Sequence, residues 1–197
     1  MRFPAGRVLV VASLVVAGLA APRGASADEA LWGLLRAGGQ VVVMRHAATD
    51  RSIGDPPDFR MDDCSTQRNL SAEGRLQARR LAAAFGARGI PIGRVLSSQW
   101  CRCLETARLA FGSAEPWPAL NSFFRNRALE PERSREVRAR VTEKPDRGNL
   151  ILVTHQLNIG ALAGVHPVEG EFVVLTPLGD GGFRVAGRLT PDDLPAR

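Results

Sequence analysis

The segment Gln40-Val-Val-Val-Met-Arg-His46 decides how this chain is read. Val41 to Met44 are apolar without a break, and three of the four are β-branched. A strand with one face in water would alternate; a continuous run suits a strand covered on both faces, as in a parallel sheet. The run stops at Arg45-His46, which places a cation and an imidazole at the strand's carboxyl end. Asn149-Leu-Ile-Leu-Val-Thr154 repeats the pattern and ends at His155, and the shorter Arg94-Val-Leu-Ser97 runs into Ser98.

Helical spacing fills the intervals. Leu31 to Arg36 is a short amphipathic stretch stopped by Gly38-Gly39. Ser71 is placed to cap a helix to about Gly86, with Glu73 in its first turn and Ala78, Leu81, Ala82 and Phe85 on a buried stripe. Trp100 to Phe111 reads as a second helix burying Leu104, Ala107 and Phe111, and Pro131 to Thr142 as an arginine-rich surface helix. Leu157 to Ala163 is a short helix, and Pro116 to Leu120 is ambiguous. Glu171 to Thr176 and Gly182 to Leu189 close the sheet as a hairpin across the turn at 179–182. Alternating strands and helices predict an α/β fold with a mainly parallel central sheet. The polar, Asp- and Pro-rich stretch from Thr49 to Arg68 is expected to run as a long loop over the active face.

Residues 1–27 are expected to be a secretory signal peptide. Arg2 and Arg7 form a positive start, Val8 to Ala20 an uncharged apolar run, and Ala25-Ser26-Ala27 a small-residue cleavage site. The apolar run is shorter than the roughly 20 residues that span a bilayer. The mature chain, 28–197, is therefore expected as one domain in the periplasm or outside the cell, with no stable membrane span after cleavage. In an oxidising compartment Cys64 can pair with Cys101 or Cys103, and Cys64–Cys101 is the favoured bridge. A net charge of +6, carried by arginine with Lys144 as the single lysine, favours anionic partners. Nucleic acid is not expected among them, since the chain has no recognition motif and no aromatic residues interleaved with its charge.

Chemistry concentrates at the strand ends. Of three histidines, His46 and His155 each follow a buried-type strand, and the carboxyl edge of a parallel sheet is where ligands bind. Arg45 adjoins His46, and Arg102 lies in the first turn of the helix after Ser97-Ser98. Guanidinium forks and a helix N-terminus suit phosphate oxygens. Fixed positive charge beside the histidines opposes a metal ion, and no HxH or HxxxH spacing is present. There is no GxSxG nucleophile elbow either; His46 can act as a base or attack phosphorus directly, and in the second scheme Arg45, Arg102 and His155 would stabilise the charge that develops.

These residues resemble the histidine phosphatase superfamily, also called phosphoglycerate mutase-like. The resemblance rests on VVVMRHA at 41–47, NLSAEGRLQARRLA at 69–82, VLSSQWCRCLETA at 95–107 and LILVTHQLNIGALAG at 150–164. It implies a three-layer α/β/α sandwich, no metal and no organic cofactor. It further implies His46 as the phosphorylated nucleophile, Arg45 and Arg102 as phosphate ligands, and His155 as the second pocket histidine. GDPPDF, DDCSTQRNL and THQLNI look most similar to bacterial periplasmic members, some of which act on phosphorylated lipopolysaccharide core heptose. The expected substrate is thus a phosphorylated small molecule or glycolipid. Gln156, not an acid, follows His155. Candidates for a general acid are Glu115, Glu130 and Asp55, with Asp62 and Asp63 nearby in the loop. Arg68, Asn69 and Gln156 are further candidates for the pocket lining. A phosphate-binding protein of the same fold without turnover is the alternative.

Overall fold

Asn149 shows how the sheet is assembled. It is fully buried, and its amide donates to Leu35 O at 2.8 Å and Pro91 O at 2.9 Å while accepting from the Gln40 backbone at 3.1 Å. One side chain thus ties together the amino ends of three strands and the end of the first helix. The computed structural model describes residues 23–194; the expected signal segment falls outside them over residues 1–22.

The elements in order are α1 (Arg23–Ala37), β1 (Val41–Arg45), α2 (Ala72–Ala87), β2 (Ile92–Ser97), α3 (Cys101–Phe111), β3 (Glu115–Pro116), α4 (Glu130–Thr142), β4 (Asn149–Thr154), α5 (Gln156–Ala163), β5 (Phe172–Pro177) and β6 (Phe183–Leu189). They form one six-stranded sheet in the order β3-β2-β4-β1-β5-β6. β3, β2, β4 and β1 are mutually parallel, and the β5–β6 hairpin runs antiparallel against β1.

Strand side chains alternate between two cores, as the pleat requires. Val42, Met44, Ile151 and Val153 face α1, α2 and α3, where Trp32, Phe85, Phe111 and Phe172 meet edge to face at 5.4–6.0 Å between ring centres. Val41, Val43, Leu150 and Leu152 face the other way, against Val137 and Val141 of α4 and Ile159 and Leu162 of α5. Helices on both faces make a three-layer sandwich, and this explains the uninterrupted apolar runs. The expected helix faces need two corrections. In α2 the buried stripe includes Ala84, while Ala82 is only half-buried; in α3 Leu104 is half-buried, and Cys103, Thr106 and Ala110 take the interior. The α4 helix has a sparse apolar side in Val137 and Val141 that anchors its arginine-rich remainder.

α2 starts where Ser71 Oγ accepts the Gly74 N–H at 3.1 Å. Gly74 lies against the segment that follows β1: a Cβ there would sit 1.9 Å from Ala48 O, a backbone atom that cannot swing away. Gly74→Ala is therefore expected to destabilise the protein by about 1–3 kcal/mol or more, the usual cost of overpacking. Urea unfolding beside Ala78→Gly, a helix change without that clash, would separate the contact from helix propensity.

Candidate active site

The register of the sheet brings the two histidines level. Arg45 pairs with Thr154 across β1 and β4, so His46 and His155 are the next residues on adjacent parallel strands. The His46 N–H donates to Thr154 O at 3.0 Å, which continues the ladder one step past β1. The two imidazoles lie 5.5 Å apart between ring centres, nearly perpendicular, and both are buried.

Around them Arg45, Asp55, Arg68 and Arg102 line a pocket of about 200 Å³, with Ser122, Phe124, Gln156 and Leu157 at its rim. His46 Nδ1 lies 2.9 Å from Ala47 O. A carbonyl can only accept, so Nδ1 carries the hydrogen and the Nε2 lone pair is free. Burial holds His46 well below the ordinary histidine pKa, and the charges of Arg102, Arg45 and Arg68 push the same way against the Ala47 hydrogen bond. A neutral imidazole with its lone pair free is the form a nucleophile requires.

The positive charge of the pocket is only partly balanced. Arg102, at the start of α3, makes a two-pronged pair with Asp55 at 2.9 and 3.3 Å, and both side chains are almost completely buried. The Arg102 guanidinium also lies over the Trp100 ring, 4.4 Å from its centre, and Phe59 stacks on that ring at 4.4 Å. Arg45 donates to Pro167 O at 3.0 Å and pairs with Glu169 at 3.7 Å. Burial alone would raise Glu169, but hydrogen bonds from Thr49 and Arg51 and the charges of Arg45 and Arg51 hold it below the usual carboxylate range. The Nε–H groups of Arg45, Arg68 and Arg102 are buried without a partner. Three guanidinium groups with orphaned donors around a neutral imidazole make a site for a tetrahedral oxyanion.

Residues 41–123 match the family model of the histidine phosphatase superfamily (branch 1). No curated protein matches the sequence. Among solved structures, the protein histidine phosphatase SixA complexed with tungstate superposes with a TM-score of 0.59 at 19% identity, covering 78% of this chain and 98% of its own. The alpha-ribazole phosphatase of Shigella flexneri gives 0.55 at 16% identity, covering 80% and 99%. A phosphoserine phosphatase mutant of Entamoeba histolytica in complex with phosphoserine gives 0.57 at 11%, covering 79% and 99%. These likenesses establish a shared fold.

Within this fold, the candidates from sequence separate cleanly. Arg45, His46, Arg102 and His155 surround the pocket together with Arg68, Gln156 and Asp55. Glu115 and Glu130 do not reach it, which corrects their candidacy as general acids. Glu115 pairs with Arg94 on the edge strand β3, and Glu130 pairs with Arg127 at 3.1 Å at the start of α4. Asp62 is exposed, Asp63 caps a short 3-10 turn at Cys64–Thr66, and Asn69 donates to Cys64 O at 2.7 Å. Asp55 is in place, but as the ionic partner of Arg102. A larger cavity of about 440 Å³ lies at the opposite end of the sheet, against Ile92, Gly93 and Leu150; it contains no histidine, and two of its arginines are paired with Glu115 and Glu143. Among the described residues no group of three or more His, Cys, Asp and Glu side chains is placed to hold a metal ion.

Three supporting residues escaped the sequence reading. Glu169 lies two residues after Pro167 in what reads as a surface loop, yet is buried against Arg45. Arg125 donates to Asp55 O at 2.9 Å, Pro56 O at 2.7 Å and Pro57 O at 3.0 Å, and so straps the long loop over the pocket. Asn121 is buried beneath His155. None carries a periodic or motif signal, because each acts across a tertiary contact.

Cys64 and Cys101 form a disulfide that ties this loop to α3, one residue before Arg102; Cys103 is free and buried. Burial pushes the Cys103 thiol up to about 12, so it remains protonated. Closing a loop with a sequence separation of 37 by this bridge restricts the unfolded chain by about 3–4 kcal/mol. Cys64→Ser is accordingly expected to lower the thermal midpoint and to weaken binding of inorganic phosphate, since Arg68 and Asp55 lose their anchor to the Arg102 helix; an unchanged Kd would show that the loop holds its place without the bridge.

Burial lowers His155 too, helped by Arg102, His46, Arg45 and Arg68. Below pH about 6.5 the unfolded chain binds protons at both histidines that the folded pocket refuses. The stability present above that pH is therefore expected to decline as pH falls from 6.5. The double variant His46→Asn/His155→Asn should show a flatter profile of denaturant midpoint against pH.

Proposed function

We propose that this protein is an exported phosphatase that hydrolyses phosphate monoesters through a phosphohistidine on His46. The observation that carries the reading is the His46 ring itself: Nδ1–H is committed to Ala47 O, which leaves the Nε2 lone pair of a neutral ring in a pocket that Arg45, Arg68 and Arg102 also line. Nε2 attacks phosphorus, the ester P–O bond breaks with its electron pair staying on the alcohol oxygen, which takes a proton from solvent as it leaves, and the arginines stabilise charge on the phosphoryl oxygens. Water then forms a new P–O bond and gives up a proton to solvent, the P–N bond breaks, and its electron pair returns to Nε2.

Asp55 stands in for the substrate before it arrives. Its carboxylate holds the two-oxygen contact on Arg102 that a phosphate would take, and an incoming phosphomonoester exchanges with it. Asp55 and Glu169 offset two of the three pocket arginines, and displacing Asp55 returns the charge needed for a dianion. The pocket is small for a ligand site, where 300–1,000 Å³ is usual. It suits the phosphoryl group, with the rest of the substrate lying outside over Phe124 and Leu157. That shape supports a bulky substrate, such as a phosphorylated sugar of the lipopolysaccharide core, over a small enclosed metabolite. Cleavage after Ala27 would deliver the enzyme to the periplasm, where such a substrate resides. Among the described residues no helix is long and apolar enough to cross a membrane.

The exchange of Asp55 also motivates a second reading, in which the site binds phosphate without turnover. The two separate in one experiment. The mature domain is expected to hydrolyse p-nitrophenyl phosphate in the presence of chelator, with His46→Ala reduced to background and a 32P-phosphoryl group trapped on wild type by acid quench. Activity surviving in His46→Ala would sink the mechanism, and tight vanadate binding without turnover of a panel of sugar phosphates would favour the second reading. Asp55→Ala should bind inorganic phosphate more tightly, about 10-fold or more, if the carboxylate competes for Arg102; titration calorimetry measures this directly.

A further inference from the structure

Glu115 and Glu130 lie elsewhere and Asp55 rides on a loop as the exchangeable partner of Arg102, so His155 is the titratable side chain that stays fixed beside His46. What His155 can do depends on which ring nitrogen carries its hydrogen. A chain of contacts beneath the ring settles this. The Gln99 backbone N–H lies 2.8 Å from Asn121 Oδ1, and a backbone amide can only donate, which makes that atom of Asn121 the oxygen. The opposite end of the amide donates from Nδ2 to Gln99 Oε1 at 2.8 Å. Ser98 Oγ lies 3.0 Å from the same Asn121 Oδ1. Two acceptors cannot share a contact, so the Ser98 hydroxyl hydrogen goes to Asn121. Ser98 Oγ then has only lone pairs left; one meets the Trp100 N–H at 3.4 Å, and the other faces His155 Nε2 at 2.9 Å. Nε2 must therefore be the protonated nitrogen.

Cys103 does not disturb this order. Its Sγ is 3.5 Å from Nε2, farther than Ser98, and its thiol hydrogen reaches Thr154 O at 3.7 Å. Asn121 is itself held firmly. Its carbonyl accepts from Asn158 Nδ2 at 3.1 Å and from Arg133 at 3.1 Å, and Thr154 Oγ1 donates to the neighbouring Leu120 O at 2.6 Å. Ser98 is fully buried and Asn121 nearly so, which shields the chain of contacts from water.

We infer that Ser98 and Asn121 are positioning residues that lock His155 as the Nε2–H tautomer and turn its Nδ1 lone pair to the phosphoryl group on His46. The inference rests on the phosphatase reading for its kinetic part only. Before a substrate binds, burial and the neighbouring arginines keep His155 neutral, and Nδ1 is a base. A phosphomonoester arriving as its monoanion passes one proton from a phosphoryl oxygen to Nδ1; the oxygen keeps the electron pair, and the resulting imidazolium donates back to it. The ring then holds one hydrogen against Ser98 and one against the phosphate, with no freedom to exchange their places. A histidine base oriented by a hydroxyl and an amide has the same logic as one oriented by a carboxylate, without adding negative charge to a site that must accept a dianion.

The test reads the tautomer directly. With three histidines in the chain, and one of them at position 166 replaceable by asparagine, the ring nitrogens can be assigned in 15N-histidine-labelled protein. Wild type near neutral pH is expected to show a protonated Nε2 and a bare Nδ1 at His155. Ser98→Ala and Asn121→Ala should move that proton to Nδ1 or mix the two forms, and lower kcat by about 10–100-fold with little change in KM, as for other outer-shell orienting partners. Asn121→Asp keeps an acceptor for both hydrogens and should keep the wild-type tautomer. A wild-type His155 protonated at Nδ1 would overturn the inference outright, whatever the variants do. So would variants that lose activity while keeping the Nε2–H form, since their effect would then be structural. Absence of turnover in wild type with the Nε2–H form present would count against the phosphatase reading and leave the tautomer assignment standing.

Discussion

Three guanidinium groups converge at one edge of an apolar sheet, and the rest of the site is arranged around the cost of that convergence. Like charges in a low-dielectric pocket repel, and each buried donor without a partner adds its own penalty. The protein answers with two carboxylates of different character. Glu169 is fixed under Arg45 by Thr49 and Arg51 and belongs to the framework. Asp55 rides on a loop, and its partner Arg102 is the residue best placed to meet phosphate. One counter-charge is part of the framework, and the other is carried by a loop, which is what the proposed exchange with an anion requires.

The same positive field explains why both histidines can be neutral. Their rings sit at the ends of β1 and β4 with no carboxylate among the groups that shift them, and burial and arginine act in the same direction. A neutral imidazole has to declare which nitrogen is bare. At His46 a single backbone carbonyl makes the choice, one residue along the chain. At His155 the choice passes through Ser98 to Asn121, 34 positions away on another element by the difference of the two numbers. Local geometry orients His46, and tertiary packing orients His155.

Loop 49–68 shows how an irregular segment can be as well placed as a strand. It is held at both flanks, by the Thr49–Leu70 bridge and by the Cys64–Cys101 disulfide, and at its centre by Arg125 on three successive carbonyls. The aromatic stack of Phe59 on Trp100, continued by the Arg102 guanidinium, joins loop and helix on a second side. The loop is thereby part of the binding surface, and its exposed span stays free to yield Asp55.

The sequence by itself determined the layered fold and the residues at the sheet edge. Four-residue apolar runs at 41–44 and 150–153 can only be buried between two helix layers, and the residues that end such runs must appear together at one edge once the strands are parallel. That is periodicity and backbone geometry, both written in local order. What only the tertiary structure decided is which polar residues serve the site. Asp55, Glu115 and Glu130 are equivalent as isolated carboxyl groups, and their separation into a pocket residue and two surface ion pairs follows from loop packing. Asn121 and Glu169 lie in segments without periodicity, and become buried because elements distant in sequence close over them. A side chain's charge and hydrogen-bonding capacity are local properties; its partner, its burial and therefore its chemistry are set by long-range contact.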